Sequence, residues 1–228
     1  MKLLALETAT DRCSVALLAG GEPVAIMDDE PRVHARRILA MIEEALAIGG
    51  VTIGQLDAIA YGRGPGSFTG LRIAAGVVQG LSLGAGLPVV PVSTLAAHAV
   101  AAARVHGKTE LAVCVDARMD ECYWGAYRID DTGLANAVTD DCLISPSARR
   151  LPEPGRWFGV GTGWATWPTL AGAADSLTVC DPALLPEARD LLGMAARAFD
   201  QGQTVDAAEA LPVYLRDSVA WQTSPAKS

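Results

Sequence analysis

The feature that most constrains this chain is a pattern it carries twice. A short apolar run at residues 3–6 leads into the polar turn Glu7-Thr8-Ala9-Thr10-Asp11-Arg12, and a second apolar run fills 13–18. Near the midpoint, residues 111–115, the turn Asp116-Ala117-Arg118-Met119-Asp120-Glu121 and residues 122–129 follow the same order. Apolar runs of this length bounded by turn residues are strands. Strand, acidic turn, strand, written once per half, implies a duplicated fold. A length of 228 residues agrees, being long for one core and short for three. The polar link 104–110 is the best boundary, so the expected lobes are 1–104 and 105–228, with the C-terminal helices free to return to the first lobe.

Within the first half, Gly20-Gly21-Glu22-Pro23 turns the chain into a third strand at 24–27, so three antiparallel strands are expected in succession. A helix over 34–48 places Ile38, Leu39, Ile42, Ala45 and Leu46 on one face and ends at Gly49-Gly50. A strand at 56–61 enters the loop Gly62-Arg63-Gly64-Pro65-Gly66-Ser67-Phe68-Thr69-Gly70, and Ser67 or Thr69 can cap a helix over 71–83. A strand at 89–92 follows, then an alanine-rich helix capped by Ser93 or Thr94 and running to 103. In the second half, residues 132–155 read as irregular, 157–160 as a strand, and 183–185 and 188–201 as helices. Residues 211–216 form an ordered apolar segment, and 224–228 are expected to fray.

Charge and composition exclude several roles. Against 18 basic residues stand 26 acidic ones, with no basic run longer than Arg36-Arg37 or Arg149-Arg150. A protein that grips a nucleic-acid backbone by itself needs clustered cations, so any nucleic-acid role must run through a partner. The five cysteines have no zinc or disulfide spacing and read as reduced core thiols of a cytoplasmic protein. The three histidines, His34, His98 and His106, form no metal motif. Residues 73–103 contain no Asp, Glu, Lys or Arg, but Gly84, Gly86, Pro88 and Pro91 break the stretch, which favours a buried helix, strand and helix over a membrane hairpin.

Three features carry functional information. In the helix from Leu71, glycines recur at Gly76, Gly80 and Gly84, beside Ala75. Each interior glycine costs about 1 kcal/mol relative to alanine. The return is a smooth face for close approach, by this protein's own sheet or first helix or by a helix of a second polypeptide. The loop before that helix could hold an anion on its N–H groups or serve as a rigid turn, and it is not a P-loop because no lysine sits at the Walker position. Glu7, Thr8 and Asp11 in the first turn and Asp116 in the second lie where sugar-kinase-like folds hold metal and phosphate, although acidic turn residues also serve as solvated caps.

Taken together, these segments resemble the TsaB (YeaZ) family. The similarity lies in Leu3-Leu4-Ala5-Leu6-Glu7-Thr8-Ala9-Thr10, in Cys13-Ser14-Val15-Ala16-Leu17, in His34 and in the loop from Gly62 with its core Gly64, Pro65, Gly66, Ser67, Phe68, Thr69 and Gly70, followed by Leu71-Arg72. Asp116-Ala117-Arg118 and Pro212-Val213-Tyr214-Leu215-Arg216 extend it to the far end of the chain. Glu7 departs from the family's usual aspartate.

The resemblance implies a duplicated actin-like ATPase (ribonuclease H-like) α/β fold, two lobes each with a mixed sheet flanked by helices. It implies a non-catalytic scaffold that pairs with the catalytic paralog TsaD and works with the ATPase TsaE. Together they transfer a threonylcarbamoyl group to the adenosine next to the tRNA anticodon. Alone, such a chain is expected to form a homodimer. His34, Ile38, Ile42, Gly70, Leu71, Arg72, Ala75, Gly76 and Gly80 are then the expected partner interface, and Glu7, Thr8, Asp11 and Asp116 a vestigial nucleotide site. No catalytic residue, metal or resident cofactor is expected, because a metal-binding histidine position of the paralog has become Thr94 and only His98 remains; ATP or ADP at the boundary with the paralog is left open. The alternative is an enzyme, a small actin-like-fold phosphotransferase using Glu7, Asp11 and Asp116 around Mg-ATP.

Overall fold

Strand β1 (Lys2–Glu7) sends alternate side chains to opposite faces, and both faces are covered. Leu3 and Ala5 enter one apolar cluster, Leu4 and Leu6 another. Such a strand sits mid-sheet, and β1 lies between β2 (Cys13–Ala19) and β4 (Ala58–Gly64). With β3 (Val24–Asp28) and β5 (Val89–Ser93) the first sheet has the order β3-β2-β1-β4-β5, its first three strands antiparallel and the rest parallel. This protein's structure, a computed structural model, describes residues 1–30, 32–149, 151–152, 155–169 and 176–216, with only the backbone of Cys180.

The second sheet repeats the plan. Around β6 (Glu110–Asp116) lie the antiparallel β7 (Cys122–Ile129) and the parallel β10 (Trp157–Val160), which carries β11 (Leu177–Asp181) beyond it. β7 also pairs with the short β8 (Ala135–Ala137) and β9 (Cys142–Ile144). Both halves thus share one strand order, the duplicated actin-like α/β fold.

Helices α1 (His34–Gly49) and α2 (Phe68–Ala85) cover the outer face of the first sheet through Ile38, Met41, Ile42, Ala74 and Val78. Between the sheets lie α3 (Thr94–His106) and α5 (Arg189–Asp200), in a core drawing on both, from Ala58 and Ala60 to Leu111, Val113 and Tyr127. Arg104, where the sequence suggested a boundary, lies in the last turn of α3. Its guanidinium holds Asp190 at 2.7 and 3.1 Å and Glu187 at 3.3 Å, tying α3 to the start of α5. In the second half, α4 (Gly163–Thr166) is a single turn.

Several expectations need correction. The stretch 132–155 contains β8 and β9, and β11 was not anticipated. No helix forms at 183–185, where Pro182 and Pro186 bracket too few residues for a turn. α2 begins at Phe68 rather than Leu71, because Ser67 Oγ caps it by accepting the Gly70 N–H at 3.3 Å. The expected fraying of 224–228 lies outside the described residues. Cys13, Cys114, Cys122 and Cys142 are free thiols. Among the described residues no helix is long and apolar enough to cross a membrane.

Candidate functional site

The two faces of α2 differ sharply. Leu71, Ala74, Ala75, Val78 and Ser82 are buried toward the sheet, whereas Arg72, Gly76, Gly80, Leu83 and Gly84 are exposed. Among the described residues, a methyl group added at Gly76, Gly80 or Gly84 would meet nothing within 4 Å. The glycines therefore do not serve packing against this protein's own sheet or first helix. Leu83, at the end of the stripe, is 81% exposed.

The C-terminal segment borders this face. After the short 3-10 turn Ala207–Glu209, the Ala210 carbonyl accepts the Gln79 amide at 3.2 Å and the Leu211 carbonyl accepts the Tyr61 hydroxyl at 2.9 Å. The Val213 N–H donates to the Arg63 carbonyl at 2.8 Å. Tyr214 stacks at 5.4 Å on Phe68, and Arg72 lies 3.9 Å above the Phe68 ring while donating to the Tyr214 hydroxyl at 3.1 Å. Two adjoining depressions of about 430 Å³ each run between α2 and this segment. Arg72, Gly76, Leu211 and Tyr214 line one; Gly80, Leu83 and Ala207 line the other. Leu83, Gln79 and Leu211 were not singled out from sequence; the signal available was the apolar Leu83 in line with three glycines.

The expected interface residues divide in two. Arg72, Gly76 and Gly80 lie on the open face. His34, Ile38, Ile42, Gly70, Leu71 and Ala75 are largely buried within this chain, and Ala75 also lines the first of the two depressions. His34 Nε2 lies 3.0 Å from the Thr10 carbonyl, and Gly70 presses on the Thr8 carbonyl so closely that any side chain would collide with it.

The glycine-proline loop clamps the first hairpin turn. The Ser67 N–H donates to the Ala9 carbonyl at 2.7 Å, and Thr8 Oγ1 donates to the Gly70 carbonyl at 2.8 Å. With Gly64-Pro65 cis, Pro65 buried and Gly66 against Ala9, the loop spends these groups on its own chain. Phe68 and Thr69 are exposed at its end.

Nor do the acidic turn residues form an open ligand set. Glu7 is fully buried, with one carboxylate oxygen accepting the Ala9 N–H at 2.7 Å and the other the Thr94 hydroxyl at 3.1 Å. Burial pushes its pKa up to about 7 from an ordinary 4.5, against the pull of those hydrogen bonds. Asp11 is exposed, and Asp116 accepts the Arg118 N–H at 2.8 Å and pairs with its guanidinium at 3.1 Å. His98 is buried, its Nδ1–H donating to the Thr94 carbonyl at 2.9 Å, and burial pushes its pKa down to about 4. Among the described residues no group of three or more His, Cys, Asp or Glu side chains could hold a metal ion.

Two sheets of one strand order, α3 and α5 between them and an outer helical layer on the first half make this a two-lobed actin-like α/β protein. The family model described as "TsaD: tRNA N6-adenosine threonylcarbamoyltransferase" matches residues 29–222. The chain is 44% identical over 231 residues to the tRNA threonylcarbamoyladenosine biosynthesis protein TsaB of Escherichia coli (strain K12), covering 100% of both chains. It is 40% identical to the protein so named in Haemophilus influenzae, over 100% of this chain and 98% of the other. The solved structure of YeaZ from Pseudomonas aeruginosa superimposes with a TM-score of 0.87 at 44% identity, over 94% of this chain and 99% of that one. The chain belongs to the TsaB (YeaZ) family.

Proposed function

We propose that this chain acts in tRNA threonylcarbamoyladenosine biosynthesis as a non-catalytic subunit that docks on the catalytic paralog TsaD through the open face of α2. The observation that carries this is the glycine stripe itself. Three interior glycines cost roughly 2–3 kcal/mol together, and among the described residues no atom approaches closely enough to use the space they leave. A second helix lying along that face recovers the cost by close backbone approach and by burying Leu83, Phe68 and Tyr214. The match of this chain to the TsaD family model supports pairing between two chains of related fold.

The rest of the proposal concerns what the chain leaves to others. Glu7, Thr94 and His98 are buried and hydrogen-bonded to one another or to neighbouring backbone, so their side chains are turned away from solvent and from any incoming substrate. A net charge of -8 leaves the tRNA phosphates to a partner in the complex, where TsaE supplies ATP hydrolysis in the cytoplasm. Without TsaD the same face joins two copies of the chain. One surface used both ways makes homodimer and heterodimer mutually exclusive.

Reconstitution tests the proposal. TsaD and TsaE from one organism are combined with tRNA, ATP and the threonylcarbamoyl-adenylate-forming enzyme, with and without this chain. Modified adenosine is expected only when the chain is present; equal yield in its absence would refute the role.

A further inference from the structure

The C-terminal segment does not stop at the first lobe. Two residues beyond Tyr214, Arg216 reaches the turn between β6 and β7. Its Nη2 donates to the Ala117 carbonyl at 3.0 Å and the Arg118 carbonyl at 3.3 Å and pairs with Glu121 at 2.8 Å. That turn carries an unusual load. Arg118, Met119 and Asp120 have φ of 64°, 56° and 57°, three successive non-glycine residues in the left-handed region. Left-handed backbone costs an L-residue roughly 1–2 kcal/mol, so the conformation persists only where its surroundings enforce it. Within the turn, the Ala117 N–H donates to the Glu121 carbonyl at 3.0 Å and the Glu121 N–H to the Arg118 carbonyl at 3.2 Å. Asp116 adds a further hold, accepting the Arg118 N–H at 2.8 Å and pairing with its guanidinium at 3.1 Å. Arg216 braces the turn from outside, pairing with Glu121 and donating to two of its carbonyls.

We propose that residues 210–216 are a strap that couples the face of α2 to the β6–β7 turn, with Arg216 as the positioning residue at its far end. At the near end Tyr214, 43% exposed, forms part of the wall beside Gly76 and is held by Phe68 and Arg72. A chain seated on α2 covers Tyr214 and removes the strap's freedom to lift. Two residues on, the guanidinium is then held against the turn, and the left-handed conformation is favoured. Coupling of this kind is reciprocal: a turn released from Arg216 loosens the strap and weakens docking. The direction of this regulation rests on the docking face proposed above, whereas the mechanical link between Tyr214 and the turn is internal to this chain.

Amide hydrogen exchange on the isolated chain, diluted until it is monomeric so that no second copy covers α2, tests the link. In the native sequence the hydrogen-bonded Ala117 and Glu121 amides are expected to exchange slowly. Arg216→Ala and Tyr214→Ala are each expected to speed them about ten-fold or more, the worth of a charge-assisted hydrogen bond, with the β1 amides unchanged as the control for folding. Arg216→Lys, which keeps the charge but loses the fork, falls between. Unchanged exchange in Tyr214→Ala would overturn the strap, as would Arg216→Lys equal to the native chain. Adding purified TsaD is expected to slow the same two amides further. A complex that forms without slowing them also overturns the coupling, whereas absence of any complex refutes the docking face and leaves the isolated-chain result to decide the link.

Discussion

On the outer face of the first sheet lie a 16-residue α1 and an 18-residue α2. At the corresponding places in the second half, the described residues hold the 3-residue 3-10 turn Pro146–Ala148 and the 4-residue α4. The second sheet is covered there by side chains instead. Trp124, Trp157 and Trp164 cluster with Cys114, Cys122 and Leu177, and Trp164 meets Trp124 edge-on at 6.1 Å. Both indole N–H groups that turn inward are satisfied, Trp157 by the Pro152 carbonyl at 2.8 Å and Trp164 by the Ala112 carbonyl at 3.1 Å. Covering a sheet therefore does not require long helices. The first half keeps two of them, and one carries a glycine stripe that no other described residue packs into. A duplicated architecture has kept helices on the half whose outer surface we propose as the seat for another molecule.

Substitutions can break or sharpen this contrast, beginning with the largest effect. Trp164→Ala removes the cover of the second sheet and is expected to cost about 3–5 kcal/mol, read from urea unfolding. A loss below 1 kcal/mol would mean that the tryptophans do not replace the missing helices.

Next are the two equivalent acids that end β1 and β6. Glu7 is buried against the α3 N-terminus, whereas Asp116 pairs with Arg118 at its turn. The folded state holds the Glu7 proton up to about pH 7, while the unfolded chain releases it near 4.5. Its stabilising contribution is complete below about 4.5 and is lost as pH rises through 7, roughly 3 kcal/mol by pH 8. Glu7→Gln cannot titrate, so it should abolish that part of the pH dependence and gain stability relative to the native chain at alkaline pH. Parallel stability curves for the two proteins between pH 5 and about pH 8 would contradict the buried-acid account.

Smallest is Gly76→Ala on the open face. With free space around the new methyl group among the described residues, the chain diluted to its monomer should gain up to about 1 kcal/mol. A loss in the monomer would show that the chain's own residues already cover the stripe.

Much of this fold was legible in the sequence. Strands β1, β2, β6 and β7 are apolar runs between polar turns, and the repeated turn announced the duplication. Strands β8, β9 and β11 were not legible, because they are only 3 to 5 residues long and their pairing with β7 and β10 depends on register. The open face of α2 was half legible. Glycine spacing identified Gly76 and Gly80 correctly as one stripe, but the apolar periodicity of α1 pointed to Ile38 and Ile42, which fill this chain's own core. Hydrophobic periodicity marks the face turned inward, so it selects the side opposite to one a partner could meet. Tyr214 and Leu211 were seen only as an apolar segment, since their place beside α2 depends on contacts more than 130 residues apart in sequence, such as Arg72 with Tyr214 and Gln79 with Ala210.

The central claim is that the open face of α2 is a seat for a second chain. Sedimentation of Gly80→Leu with purified TsaD, set beside the native chain at equal concentrations, tests it most directly. The native chain should sediment as a complex, and Gly80→Leu, folded and as stable as the native chain to within about 1 kcal/mol, should sediment alone. A Gly80→Leu protein that still forms the complex at undiminished affinity would contradict the account.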